Sequence, residues 1–152
     1  MNKEAEKAER ERFVFQKFFT TCALPIVPES VESRRPLEPD ILCSHTVEGH
    51  IAFELVEICD GRLARKLSAI DKEDFRFFRS QDTSWSVLRE KLRKSYKTDH
   101  PVELLCYVGR SLSADSEIRA KIQPMLEMYN GQFRRIWLLG DQCHLIFDRL
   151  NS

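Results

Sequence analysis

The chain has 152 residues, about the size of one domain, and its 42% apolar and 32% charged content excludes a disordered chain. Basic and acidic residues balance at 24 each, so no global field draws it toward an acidic partner, and any affinity for nucleic acid must come from local patches. No stretch approaches the roughly 20 apolar residues that span a bilayer, which leaves no expected membrane partner.

The start, MNKEAEKAERER, is charged and unlike a secretory signal. Cys22, Cys43, Cys59, Cys106 and Cys143 are odd in number and show neither CxxC pairs nor zinc-ligand spacing. They read as buried thiols in a reducing compartment, and the expected location is cytoplasmic.

In chain order, residues 1–21 form an amphipathic helix whose stripe includes Phe13, Val14, Phe18 and Phe19. Pro25, Pro28, Pro36 and Pro39 make 22–39 an extended linker. A core over 40–148 follows, opening with the strand Ile41-Leu42-Cys43, a turn at Gly49, and a buried strand from Ile51 to Ile58. Residues 62–78 look partly helical. A clearer helix runs from Trp85 to Tyr96, with a basic face of Arg89, Lys91, Arg93, Lys94 and Lys97, and His100-Pro101 stops it. Val102 to Val108 is a strand of continuous apolar character. Asp115-Ser116 caps a helix that Pro124 should kink or interrupt, and Asn130-Gly131 closes it. Phe133 to Leu139 and Cys143 to Phe147 are strands joined by a short hairpin loop at Gly140-Asp141-Gln142. The fold class is a single α/β domain with a mixed central sheet flanked by helices.

The chemistry rests on two carboxylates. Asp40 stands at the start of one strand, and Glu54 interrupts the apolar run of the next. A charge inside a buried strand costs several kcal/mol unless it is paired or binds a metal, so Glu54 needs either a salt bridge or a cation. Mg²⁺ is usually held by one or two carboxylates and several waters, which this pair could supply. Glu57 reads as structural, on the opposite face by strand alternation.

Pro39-Asp40, a hairpin, and Glu54-Leu55-Val56 in a central strand together resemble the PD-(D/E)XK nuclease superfamily, over about residues 36–148. The resemblance implies a restriction endonuclease-like core. It makes Asp40 and Glu54 ligands of Mg²⁺ or Mn²⁺, with the backbone carbonyl of Leu55 beside them. The family's Lys, two positions after the Glu, steadies the attacking water and the phosphate, but here that position is Val56. Two explanations compete. The positive charge has moved to the following helix, with Lys94 first, Lys91 second and Lys66 a weaker third; or catalysis is lost and the fold serves as an interaction or inhibitory module.

Glu9 or Glu11 on the opening helix would add a further acid in some branches of that superfamily. His45 and His50 flank the hairpin and read as solvated. No glycine-rich phosphate loop, GxSxG elbow or HExxH motif supports a rival enzyme class. The expected activity is metal-dependent hydrolysis of nucleic-acid phosphodiester bonds, in DNA first. Arg89, Arg93 and Lys97 would meet the phosphate backbone, and a chain this small suggests a homodimer or a larger protein partner.

Overall fold

The computed structural model describes residues 2–58, 84–109 and 113–151. A six-stranded sheet runs in sequential order: β1 (Glu32–Ser33), β2 (Ile41–His45), β3 (Gly49–Ile58), β4 (Val102–Val108), β5 (Arg135–Leu139) and β6 (Cys143–Asp148). β1, β2 and β3 pair antiparallel, β3, β4 and β5 pair parallel, and β6 returns antiparallel to β5. The mixed sheet and its flanking helices are the α/β class expected from the sequence.

Strand alternation divides the core into two layers. Phe53, Leu55 and Leu105 face α1 (Lys3–Thr21), which buries Phe15, Phe18 and Phe19 against them. Ala52, Val56, Leu104 and Cys106 face α2 (Ser84–Arg93) and α3 (Asp115–Met128), through Leu88, Leu92, Ile118, Ile122 and Leu126. Each fully buried aromatic or aliphatic side chain contributes about 1.5–3 kcal/mol. Glu54 shares the strand parity of Ala52 and Val56, and this points its carboxylate toward α2.

Local features differ from the sequence reading in several places. The buried stripe of α1 is Phe15, Phe18 and Phe19, whereas Phe13 is 71% exposed. The 22–39 segment is more than a linker: Pro28 opens a short 3₁₀ turn, and β1 pairs with β2 at the sheet edge. Gly49 adopts the positive φ of 81° that the hairpin turn needs.

α2 stops at Arg93, well before His100-Pro101, because tertiary partners take the next backbone donors: Tyr96 N donates to Gln132 Oε1 and Lys97 N to the Leu37 carbonyl. α3 runs unbroken through Pro124, which lies on its exposed side. Its N-cap is Ala114, without a side-chain cap; the Asp115 carboxylate instead accepts from the backbone N–H groups of Asp141 and Gln142 and contacts His144 Nε2 at 2.8 Å.

The cysteine reading needs a correction. Cys22, the C-cap of α1, forms a disulfide with Cys143 at the start of β6, with Cα atoms 5.7 Å apart. The helix end and the strand end meet there because both close the same layer. Cys43 and Cys106 are buried free thiols. Among the described residues, no helix is long and apolar enough to cross a membrane. The expected helix over 62–78, Cys59 and Lys66 lie outside the described residues.

Candidate active site

Asp40 and Glu54 meet where β2 enters the sheet beside the middle of β3. The Ile41–Phe53 pairing places the two residues opposite each other. Each carboxylate reaches across to the other's backbone: Asp40 N–H donates to Glu54 Oε1 at 3.0 Å, and Leu55 N–H donates to Asp40 Oδ2 at 3.0 Å. These reciprocal bonds fix both side chains at a buried spot; Glu54 is 2% exposed.

The second oxygen of Glu54 takes the ammonium of Lys91, with Nζ to Oε2 at 2.7 Å. Lys91 lies on the last turn of α2, and the helix packs on β3 with its Leu88 and Leu92 side. Its neighbour Lys94 turns elsewhere, over the ring of Tyr96 at 5.2 Å. Of the two leading lysines named from the sequence, Lys91 is therefore the one brought to the acid pair.

Glu11 joins from α1 and is buried. Lys7, one turn earlier and largely exposed, stands 3.9 Å from both Glu11 Oε2 and Asp40 Oδ1. Glu9 stays on the exposed side of the helix. Tyr96, buried beyond the end of α2, holds its hydroxyl 3.5 Å from the Lys91 carbonyl.

The electrostatics show an excess of negative charge. Burial raises the Glu54 pKa above the ordinary carboxylate range, the nearby charge of Asp40 raises it further, and Lys91 only partly offsets the two. Burial likewise raises Glu11, against the pull of Lys7 and a hydrogen bond to Asp40. Burial also pushes the Tyr96 hydroxyl up, with the charge of Glu54 and a hydrogen bond to it adding to the effect.

No protein-family model, curated protein or solved structure matches the chain. The site therefore stands on its own geometry. Among the described residues, no three or more His, Cys, Asp or Glu side chains are arranged to hold a metal ion. An ion here would rest on the Asp40 and Glu54 carboxylates and its own waters, the usual situation of Mg²⁺. The residues fit that demand, since the Asp40 charge beside the buried Glu54 raises the Glu54 pKa, and added positive charge is favoured at such a place.

The remaining residues named from the sequence are spread out. Arg89, Arg93 and Lys94, with Ser86 and Glu90, line a shallow groove of about 460 Å³ on the outer side of α2. Lys97 faces a different cavity, beside Arg34. His45 is structural: its Nδ1 accepts from the backbone of Val47 and Glu48 and so shapes the hairpin turn. His50 contacts Ser44 and stacks near His100, with ring centroids 5.4 Å apart. Glu57 is exposed, as its strand parity requires.

Sequence reasoning missed Glu103, which lies in β4 at 1% exposure. It accepts from Arg134, Arg135 and the Trp137 indole, all within 3.2 Å. The signal was present, an acid inside the apolar run Val102 to Val108 like Glu54 in its own strand. Tyr96 entered the sequence reading only as the end of a helix, and its hydroxyl contact with the site has no signature in spacing.

Proposed function

We propose that this chain is a metal-dependent nuclease of PD-(D/E)XK type that hydrolyses phosphodiester bonds in nucleic acid, DNA first, with Mg²⁺ or Mn²⁺ held by Asp40 and Glu54. The observation that carries the reading is the buried acid pair, opposed across β2 and β3, with Lys91 2.7 Å from Glu54. Under the migrated-lysine explanation of Val56, this reading assigns the role of the motif's Lys to Lys91, which reaches Glu54 from α2.

When bound, the ion would lower the pKa of a coordinated water and neutralise phosphate charge. Lys91 is placed to donate to a phosphate oxygen and to orient the attacking water. Its hydrogen bond to Glu54 keeps the ammonium at the site before substrate arrives. Glu11, buried beside Asp40 with its pKa raised, is the acid this reading assigns to take the proton from that water. Tyr96 is a positioning residue, tying Glu54 to the end of α2. Arg89 and Arg93, on the exposed groove of α2, would meet the phosphate backbone and make binding salt-dependent. The reading goes with a cytoplasmic location and with a homodimer or a larger protein partner.

The satisfied Glu54–Lys91 pair also favours one second reading, an interaction or inhibitory module that keeps the fold and not the chemistry. Calorimetric titration of Mn²⁺ into the folded protein separates the two. The nuclease reading expects binding that Asp40→Asn and Glu54→Gln each abolish; a module that has lost the chemistry expects no uptake of the ion.

A further inference from the structure

A cavity of about 510 Å³ lies next to the acid pair on the same face of the sheet. Its floor is Leu42 and Ala52, which pair across β2 and β3 one pleat from Asp40 and Glu54 and so about 7 Å away. One wall is the turn Arg35-Pro36-Leu37-Glu38, closed by Glu38 N–H to the Arg35 carbonyl. The other is the segment from Lys97 to His100. The two walls are tied by Lys97 N–H to the Leu37 carbonyl at 2.7 Å.

Leu37 is held at a φ of 82°, a conformation that favours glycine or asparagine at the third position of such a turn. Its side chain is 64% exposed, so burial does not explain why a leucine stands there. Strained, exposed apolar residues gather at ligand-binding sites, where the surrounding structure over-determines them. Lys97 has no ion-pair or hydrogen-bond partner for its ammonium among the described residues, whereas Arg34 is engaged by Glu32 and Glu38. His100, with His50 beside it, offers a flat ring at the rim.

We propose that this cavity is a nucleotide subsite, seating one unpaired base of the substrate strand over Leu42 and Ala52 while Lys97 meets its phosphate. The inference rests on the nuclease reading for its polymer and adds the substrate class. The cavity is open to solvent with polar walls, and a base reaches its apolar floor between them only when it is unstacked and unpaired. The substrate is therefore single-stranded nucleic acid or a frayed end, in preference to intact duplex.

The test uses metal-free protein, so that it does not depend on cleavage. 5′-dAMP and a deoxyadenylate hexamer are titrated into wild type, Lys97→Ala and His100→Ala, with NMR shifts of the His50 and His100 ring protons as readout. Both substituted side chains lie outside helices and strands, which protects folding. The expected result is saturable binding of dAMP, tighter binding of the hexamer, and weakening by about tenfold in Lys97→Ala. Absence of binding at millimolar ligand overturns the subsite, and so does binding that neither substitution weakens. A hexamer no tighter than dAMP overturns the strand assignment in favour of a free nucleotide. In each case the Mn²⁺ titration judges the metal site separately.

Discussion

Glu54→Gln should make the metal-free protein more stable at neutral pH. The amide keeps an oxygen for the Asp40 N–H, so the bond at 3.0 Å survives. The substitution removes a charge that is 2% exposed and faces Asp40, and it releases Lys91, whose side chain is 20% exposed and close enough to solvent to be hydrated. A raised Glu54 pKa means that burial and repulsion outweigh the lysine, so the balance of the exchange favours glutamine. Relief of this kind at functional sites is worth about 0.5–2 kcal/mol. With a urea slope of about 2 kcal/mol/M, a gain of 1 kcal/mol moves the unfolding midpoint up by about 0.5 M. Glu103→Gln is the internal control. That carboxylate is equally buried but held by two arginines and an indole, so its neutralisation gives up charge-assisted hydrogen bonds, while Arg134 and Arg135 keep Glu48, and should cost about 1.5–3 kcal/mol. Urea unfolding of the three proteins at pH 7.5 decides the matter. A lower midpoint for Glu54→Gln would show that Glu54 and Lys91 form a structural bridge, and the reasoning would fail.

Lys91→Met should remove cleavage while tightening Mn²⁺ binding by about tenfold, or about 1.4 kcal/mol, because a competing cation leaves Glu54; unchanged or weaker binding by calorimetry would contradict the charge argument. Reduction of Cys22–Cys143, which closes a loop with a sequence separation of 121 residues, should lower stability by about 2–4 kcal/mol, read as a drop in thermal midpoint on adding dithiothreitol to wild type but not to Cys22→Ala. Burial pushes the Asp115 pKa up, but the N–H groups of Gln142 and Asp141 and the contact with His144 outweigh it and hold the carboxyl below its ordinary value. A depressed acid stabilises above its unfolded pKa and loses that contribution as pH falls through its folded one. Asp115→Asn should therefore cost about 1 kcal/mol at pH 7 and little near pH 2, and equal losses at both would refute the linkage.

Much of this was legible in the sequence because the signals were local. Alternation and breakers gave five of the six strands, and an acid within an apolar run marked Glu54. What escaped depends on tertiary partners. Lys91 and Lys94 lie on one expected basic helix, but the helix ends at Arg93, and their order of merit turned on which of them faces β3, which spacing could not settle. The end of α2 was misplaced because Gln132 and Leu37 capture the backbone of residues far from them in sequence. Pro124 stays within α3, on its exposed side. Cys22 and Cys143 carry no pairing motif, and only the meeting of a helix end with a strand end joins them.

The central claim is tested most directly by incubating folded protein with Mn²⁺ and end-labelled single- and double-stranded DNA and RNA, beside the Lys91→Met variant. The account expects cleavage that chelation stops, Lys91→Met abolishes and single strands receive first. Intact substrates of every kind, with the wild-type protein still folded, would contradict it.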